Sequence, residues 1–336
     1  MAAVDDSPAP SPPAASQPAP NTAPVPPAGR SAHEAAVAAR RPIDATGVAL
    51  AMTLSFVWGG TALAIRYAAD TLPPVFIAGV RFGLGLVFMV PWCLLTRQRI
   101  RLEPGQWRWP LAMGFLLFIQ ISLFNWGIAL SNASHGALLI NTFVFWVAIF
   151  EHFATGNDRL TVQKSLGLLL AGVGVALVLV FDKGVGFSRT MLRGDLVLVA
   201  SAVFLGGKMV LMQRATESVP SARLVLWHNL FGTVFFFSFA GLFERHLVAP
   251  ADFTPEVVWS LAYMGFAVAG FCYAIQTMLL TRHPANSIAV YMFLSPVFGV
   301  LMAWLIRGEQ LSGWFFAAAG LVALGIALVT IQRKRG

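Results

Sequence analysis

The sequence predicts an all-α polytopic membrane protein, with ten transmembrane helices arranged as two inverted five-helix repeats. Three observations predict it. Apolar residues make up 57% of the 336-residue chain and charged ones only 11%, against about a quarter in a soluble domain. From residue 46 onward, apolar runs recur that are long enough, or nearly so, to cross a ~30 Å hydrocarbon layer as helices. The punctuation between those runs repeats itself in the second half of the chain.

Residues 1–45 stand apart as a disordered, Pro/Ala-rich cytoplasmic tail. The stretch "SPAPSPPAASQPAPNTAPVPPAG" has no aromatic residue, and it holds too little apolar surface to offset the entropy of folding. It lacks the basic start and short apolar core of a signal peptide. Its composition also fits a polyproline ligand for a partner.

The runs lie at 46–68, 75–96, 109–130, 133–154, 165–182, 195–213, 224–243, 257–280, 285–306 and 311–331. They are continuous rather than alternating, which excludes the strands of a membrane β-barrel. Short segments such as "TLPP", "SNASHG", "ESVPS" and "RGEQ" connect them. The net charge of +8 is spread among these connections, so it marks membrane orientation and not a nucleic-acid surface. Placing the N-terminus in the cytoplasm puts Arg40, Arg41, Arg97, Arg99, Arg101, Arg108 and most other basic residues on that side. Both termini are then cytoplasmic, and the expected location is the cell inner (plasma) membrane.

The repeat is read from paired residues. Gly47, Gly59-Gly60 and Gly85 fall in one register on Gly194, Gly206-Gly207 and Gly232. The loop Asp70–Pro73, "DTLP", falls on Glu217–Pro220, "ESVP". Later, Asp158, Leu160 and Gly174 fall on Glu309, Leu311 and Gly325. Five spans per half is an odd number, so the second repeat (195–331) enters the membrane from the side opposite to the first (46–182). Inverted repeats of this kind build a midplane site with alternating access.

These residues resemble the EamA family of the drug/metabolite transporter superfamily. The stretch "FVWGGTALAIRYAADTLPPVFIAGVRF" is similar to the opening of an EamA repeat, with Trp58-Gly59-Gly60, Pro73-Pro74 and Arg81-Phe82 at the family's motif positions. "SPVFGVLMAWLIRGEQL", within the closing segment, is similar to the end of the second repeat. The chain departs from the family pattern at Ser295, where a glutamate often precedes the proline, at Phe145 in place of Pro296's counterpart, and at Asn157-Asp158. The resemblance implies transport of small metabolites, often export.

Candidate site residues come from the charges left inside the runs. Arg81 interrupts "VFIAGVRFGLGLVFMV", about 9 Å in from the end of its helix. Lys208 follows the second glycine pair, and His228 matches Arg81 in the repeat. An intramembrane charge faces a bundle interior or a watery path, though Arg81 can also serve structure by binding carbonyls or a lipid phosphate. With Trp58, Asn141 and Tyr291 as path-lining candidates, these residues form the expected substrate site. Gln120, Asn125, Asn141 and Gln276 are equally suited to bonding helices together. Glu151 and Asp195 are the carboxylates read at span ends, and none lies deep in a span. Two cations without a deep carboxylate favour anionic or zwitterionic cargo, amino acids included. Proton coupling, if present, falls to His228.

No metal-ligand spacing or cofactor motif occurs, and Cys93 and Cys272 define no framework. A membrane-embedded lipid-modifying enzyme would need an Asp-rich, HExxH or GxSxG motif, and none is found. A non-transporting receptor or scaffold would have no use for the inverted symmetry. The expected partners are a small-molecule substrate and the lipid bilayer, and the sequence does not specify the oligomeric state.

Overall fold

A computed structural model describes residues 43–97, 100–150, 152–153, 162–181, 188–282, 291 and 294–330. The proposed tail, Glu151 and Asn157-Asp158 therefore lie outside the described residues, apart from positions 43–45 of the tail. The described residues are helical, with turns between the helices and no strand. Thirteen α-helices are used below. The first seven are α1 (Ala45–Gly59), α2 (Thr61–Ala68), α3 (Pro74–Leu95), α4 (Arg108–Leu130), α5 (Ala133–Ile140), α6 (Phe143–Phe150) and α7 (Val162–Phe181). Next come α8 (Arg189–Ser218), α9 (Ser221–Phe239), α10 (Pro255–Ala262), α11 (Tyr273–Arg282), α12 (Leu294–Arg307) and α13 (Gly313–Thr330).

Local chemistry starts these helices where the apolar runs begin. The Asp44 carboxylate accepts from the Gly47 N–H at 2.7 Å, and Asn132 Oδ1 accepts from His135 N–H at 2.7 Å. Each satisfies a backbone donor that the first helical turn leaves open. Pro74 and Pro255 occupy first helical positions, where a missing N–H costs nothing.

Seven helical segments are long and apolar enough to cross a membrane: 45–68, 74–95, 108–130, 133–150, 189–212, 222–247 and 255–276. Three shorter apolar helices lie at 165–177, 294–307 and 313–328. Two of the long segments are interrupted by a turn. The first is divided at Gly60 into α1 and α2, and the fourth at Asn141-Thr142 into α5 and α6. Hydropathy alone cannot show such breaks, because the residues on either side remain apolar. The backbone is also π-helical over 240–244 and over 263–272, the second stretch joining α10 to α11.

Small residues let these helices approach closely. A Cβ on Gly59 would lie 2.8 Å from both the Phe298 Cβ and the Ser295 oxygen of α12, and 3.0 Å from the Gly299 nitrogen. A Cβ on Gly206 would lie 2.6 Å from the Trp146 Cβ and 3.1 Å from the Phe143 oxygen and the Val147 nitrogen of α6. Any side chain at either position would push a backbone away. The main core gathers Ile65, Leu72, Ile77, Ile128, Leu139, Leu198 and Phe315.

One end of the bundle is fastened by carboxylates. Glu244 receives the Val75 and Phe76 N–H groups at 3.3 and 2.7 Å. Glu309 receives the Ala133 and Ser134 N–H groups, both at 2.9 Å, and the Ser134 hydroxyl. Buried Asp195 accepts from the Ser131 hydroxyl and meets His135 Nδ1 at 2.9 Å. Asp70 bridges Arg66 at 3.0 Å and Arg307 at 2.8 Å. The apolar runs alone put only Glu151 and Asp195 at span ends. Glu244 corrects this: the helical path continues past residue 243, so this glutamate is buried inside the 222–247 segment.

Candidate functional site

Arg81 sits on α3 one residue before Phe82, and its guanidinium carbon lies 5.1 Å from that ring centre. Phe82 in turn stacks on Phe236 of α9 at 5.6 Å. The arginine side chain is buried, yet its Nε and Nη1 have no hydrogen-bond partner. Tyr273, Cys272, Tyr263 and Lys208 are close enough to interact with it electrostatically. Among the described residues Arg81 forms no ion pair. A cation held this way is costly unless water or a bound anion compensates it.

Lys208 of α8 is also buried and donates from Nζ to Gln120 Oε1 of α4 at 3.1 Å. The Gln120 amide nitrogen donates to the Ser201 hydroxyl at 3.2 Å, and that hydroxyl donates to the Gln120 carbonyl at 2.8 Å. Gln120 thus joins α4 to α8, in keeping with its reading as interhelical glue, and it also orients the lysine. His228 of α9 is buried within the field of Lys208, with Nδ1 3.1 Å from the Leu224 carbonyl oxygen. Three expected site residues are therefore brought into one electrostatic neighbourhood by α3, α8 and α9.

Trp58 and Asn141 meet elsewhere. Together with Gly59, Thr61, Phe124 and Ser295 they line a cavity of about 40 Å³ at the two helix breaks. The Asn141 amide nitrogen donates to the Ala137 carbonyl at 2.7 Å. Trp58 leads from this cavity toward the cationic group: its ring meets Tyr273 edge-on at 6.1 Å, and Tyr273 lies within electrostatic reach of Arg81. Tyr291 packs in the cluster that contains Trp58, and its carbonyl accepts from the Ser55 hydroxyl at 2.6 Å.

Thr61 was not among the expected site residues. It begins α2, is 7% exposed, and its hydroxyl has no hydrogen-bond partner. A threonine in an apolar run reads as neutral filler, so only the break at Gly60 distinguishes it. The register of the repeat places it opposite Lys208, which is the one sequence signal that pointed there. Among the described residues, no three His, Cys, Asp or Glu side chains converge as metal ligands.

The sequence model of the EamA-like transporter family matches this chain twice, over residues 45–180 and 192–331. The uncharacterized transporter YoaV of Bacillus subtilis is 23% identical over 286 residues, covering 84% of this chain and 96% of its own length. An Escherichia coli protein named "probable amino-acid metabolite efflux pump" is 28% identical over 291 residues, with 82% of this chain and 92% of its own covered. A solved crystal structure superposes with a TM-score of 0.63 at 19% identity, covering 85% of this chain and 98% of its own. At that identity the likeness speaks to the fold alone.

Proposed function

The chain belongs to the EamA-like transporter family, and we propose that it exports small anionic or zwitterionic metabolites, amino acids among them, by alternating access. Family membership makes it a multi-pass membrane transporter and sets aside the lipid-modifying enzyme and the receptor. The observation that carries the substrate class is the cationic pair. Arg81 and Lys208 are buried within each other's field, neither is matched by a carboxylate among the described residues, and two guanidinium nitrogens of Arg81 lack partners. A carboxylate or phosphate that reaches Arg81 would meet donors already desolvated and unpaired, which makes electrostatic recognition strong.

The proposed architecture is ten crossings in two inverted halves, 46–182 and 195–331, with both termini in the cytoplasm of an inner-membrane protein. Three observations support it. Each of the seven long and three shorter apolar helices overlaps one of the ten runs. The two family matches divide the chain near the same boundary. The glycine contacts are reciprocal: Gly59 meets Ser295, Phe298 and Gly299 through the same atoms by which Gly206 meets Phe143, Trp146 and Val147. His228 is the nearest candidate for proton coupling within the cationic group. Its protonation adds a third cation beside Lys208, which a bound carboxylate would offset.

The test is flux in reconstituted vesicles loaded with a panel of labelled amino acids and organic anions. Wild-type vesicles should move at least one member of the panel, and Arg81→Lys should retain part of that flux because charge survives while the planar fork is lost. Transport confined to cations or neutral solutes overturns the substrate class.

A further inference from the structure

We infer that the groove bounded by α5, α12 and α13 is a lateral portal, by which an organic anion with an apolar body passes from the bilayer to the cavity beside Trp58. The inference rests on the transport reading above and adds to it the route and the apolar half of the cargo.

The groove has a volume of about 510 Å³, within the usual ~300–1,000 Å³ of ligand pockets. Leu138, Val300, Trp304, Phe315 and Phe316 form much of its wall, and Asn141 supplies its one side-chain amide. Trp304 and Phe316 are exposed, so in a membrane they face lipid. A groove of this size, open toward the bilayer, can take an occupant from it. Its lining dictates an apolar one.

Its inner end dictates something else. Asn141 lines both the groove and the 40 Å³ cavity, so the two spaces meet at one amide. The same small cavity is lined by Thr61, whose hydroxyl is buried and without a partner. From there Trp58 and Tyr273 lead to Arg81. An apolar approach that ends on an amide and one unpaired hydroxyl, with cations beyond, suits a molecule with an apolar body and an anionic head. An acyl chain of a bulk phospholipid would use only the first half of that surface. The inner cavity has room for about one or two waters, so the head advances only when the helices around Gly60 and Asn141 part, as alternating access requires.

Photolabelling tests the portal without relying on transport. The probes are a diazirine-bearing dodecanoic acid and a phosphatidylcholine carrying the same diazirine chain, each presented to the full chain in lipid nanodiscs. The acid should label peptides of α12 and α13 and be displaced by excess unlabelled dodecanoate. Gly320 lines the groove, and a Cβ there would meet nothing within 4 Å. Gly320→Trp should therefore fill the groove without disturbing the core, and should cut labelling by the acid about tenfold, the effect of ~1.4 kcal/mol, at unchanged melting temperature. Asn141→Leu should weaken labelling by the acid and leave labelling by the phospholipid unaltered. Equal labelling by both probes, indifferent to Asn141→Leu, would make the groove a lipid seat and overturn the portal. So would labelling that Gly320→Trp leaves intact. Either result leaves the flux of labelled amino acids standing as a separate measurement, and a failed flux assay would not alter the labelling pattern.

Discussion

The carboxylates at one end of the bundle and the cations in its interior meet the same cost of burial in opposite ways. Glu244, Glu309 and Asp195 each accept two or three hydrogen bonds from groups held in place by a helix start. Each bond crosses from one part of the chain to another far along the sequence, so these residues fasten elements together. Arg81 accepts no such settlement. It keeps two donors unpaired, with aromatic groups, a thiol and another cation around it. Satisfied charge holds the structure together, and unsatisfied charge is where a ligand has something to gain.

The largest expected effect comes from testing whether Arg81 is held for function. Arg81→Gln should reduce substrate flux about 100-fold or more, corresponding to the loss of ~3 kcal/mol from a charged hydrogen bond. The folded amount in the membrane should stay constant and the melting temperature in detergent should hold or rise, since an unmatched buried charge is removed. A falling melting temperature with normal flux would make Arg81 structural and erase the contrast.

Asp195→Ala should do the reverse. It leaves the Ser131 hydroxyl and His135 without their shared acceptor, at a cost of about 3 kcal/mol, measurable as a drop in melting temperature. Flux per folded molecule should change little. If Asp195→Ala abolishes flux in a protein of unchanged stability, the division between fastening and binding charges fails at that residue.

Glu309→Gln is a milder probe. The amide oxygen can still accept one N–H of the Ala133-Ser134 pair, so a loss of about 1 kcal/mol is expected. The smallest effect belongs to Arg307→Ala. Asp70 is 41% exposed and Arg66 remains beside it, so less than about 1 kcal/mol should be lost, and less still at high salt. A large effect there would mark the Asp70–Arg307 bridge as a working latch.

What could be read from the sequence follows the range of each interaction. Apolar runs declare membrane-length helices through composition alone, and the segments 45–68, 74–95 and 108–130 fall within a residue of the runs that announced them. Arg81, Lys208 and His228 were visible because charge in an apolar run is rare. Their convergence was not, because it depends on how α3, α8 and α9 pack. Glu244 and Glu309 look like ordinary residues at the edge of a run, and the helix starts they cap are more than a hundred positions away. The breaks at Gly60 and Asn141-Thr142 leave no mark on hydropathy. Thr61 was overlooked for that reason.

The π-helical stretch 263–272 carries a consequence for aim. A π-turn fits an extra residue into a helix without ending it, and each residue of an α-helix turns its successor by about 100°. Cys272 and Tyr273, at the far side of that stretch, owe their rotation relative to α10 to the widened turns, and both lie within electrostatic reach of Arg81. Deleting one residue from 263–272 would let the segment relax toward a regular α-helix, at little cost in hydropathy or length. It would also swing everything beyond it by roughly a quarter-turn and carry the aromatic wall away from the arginine. In this bundle, the direction in which an aromatic wall points is stored as surplus residues in the backbone.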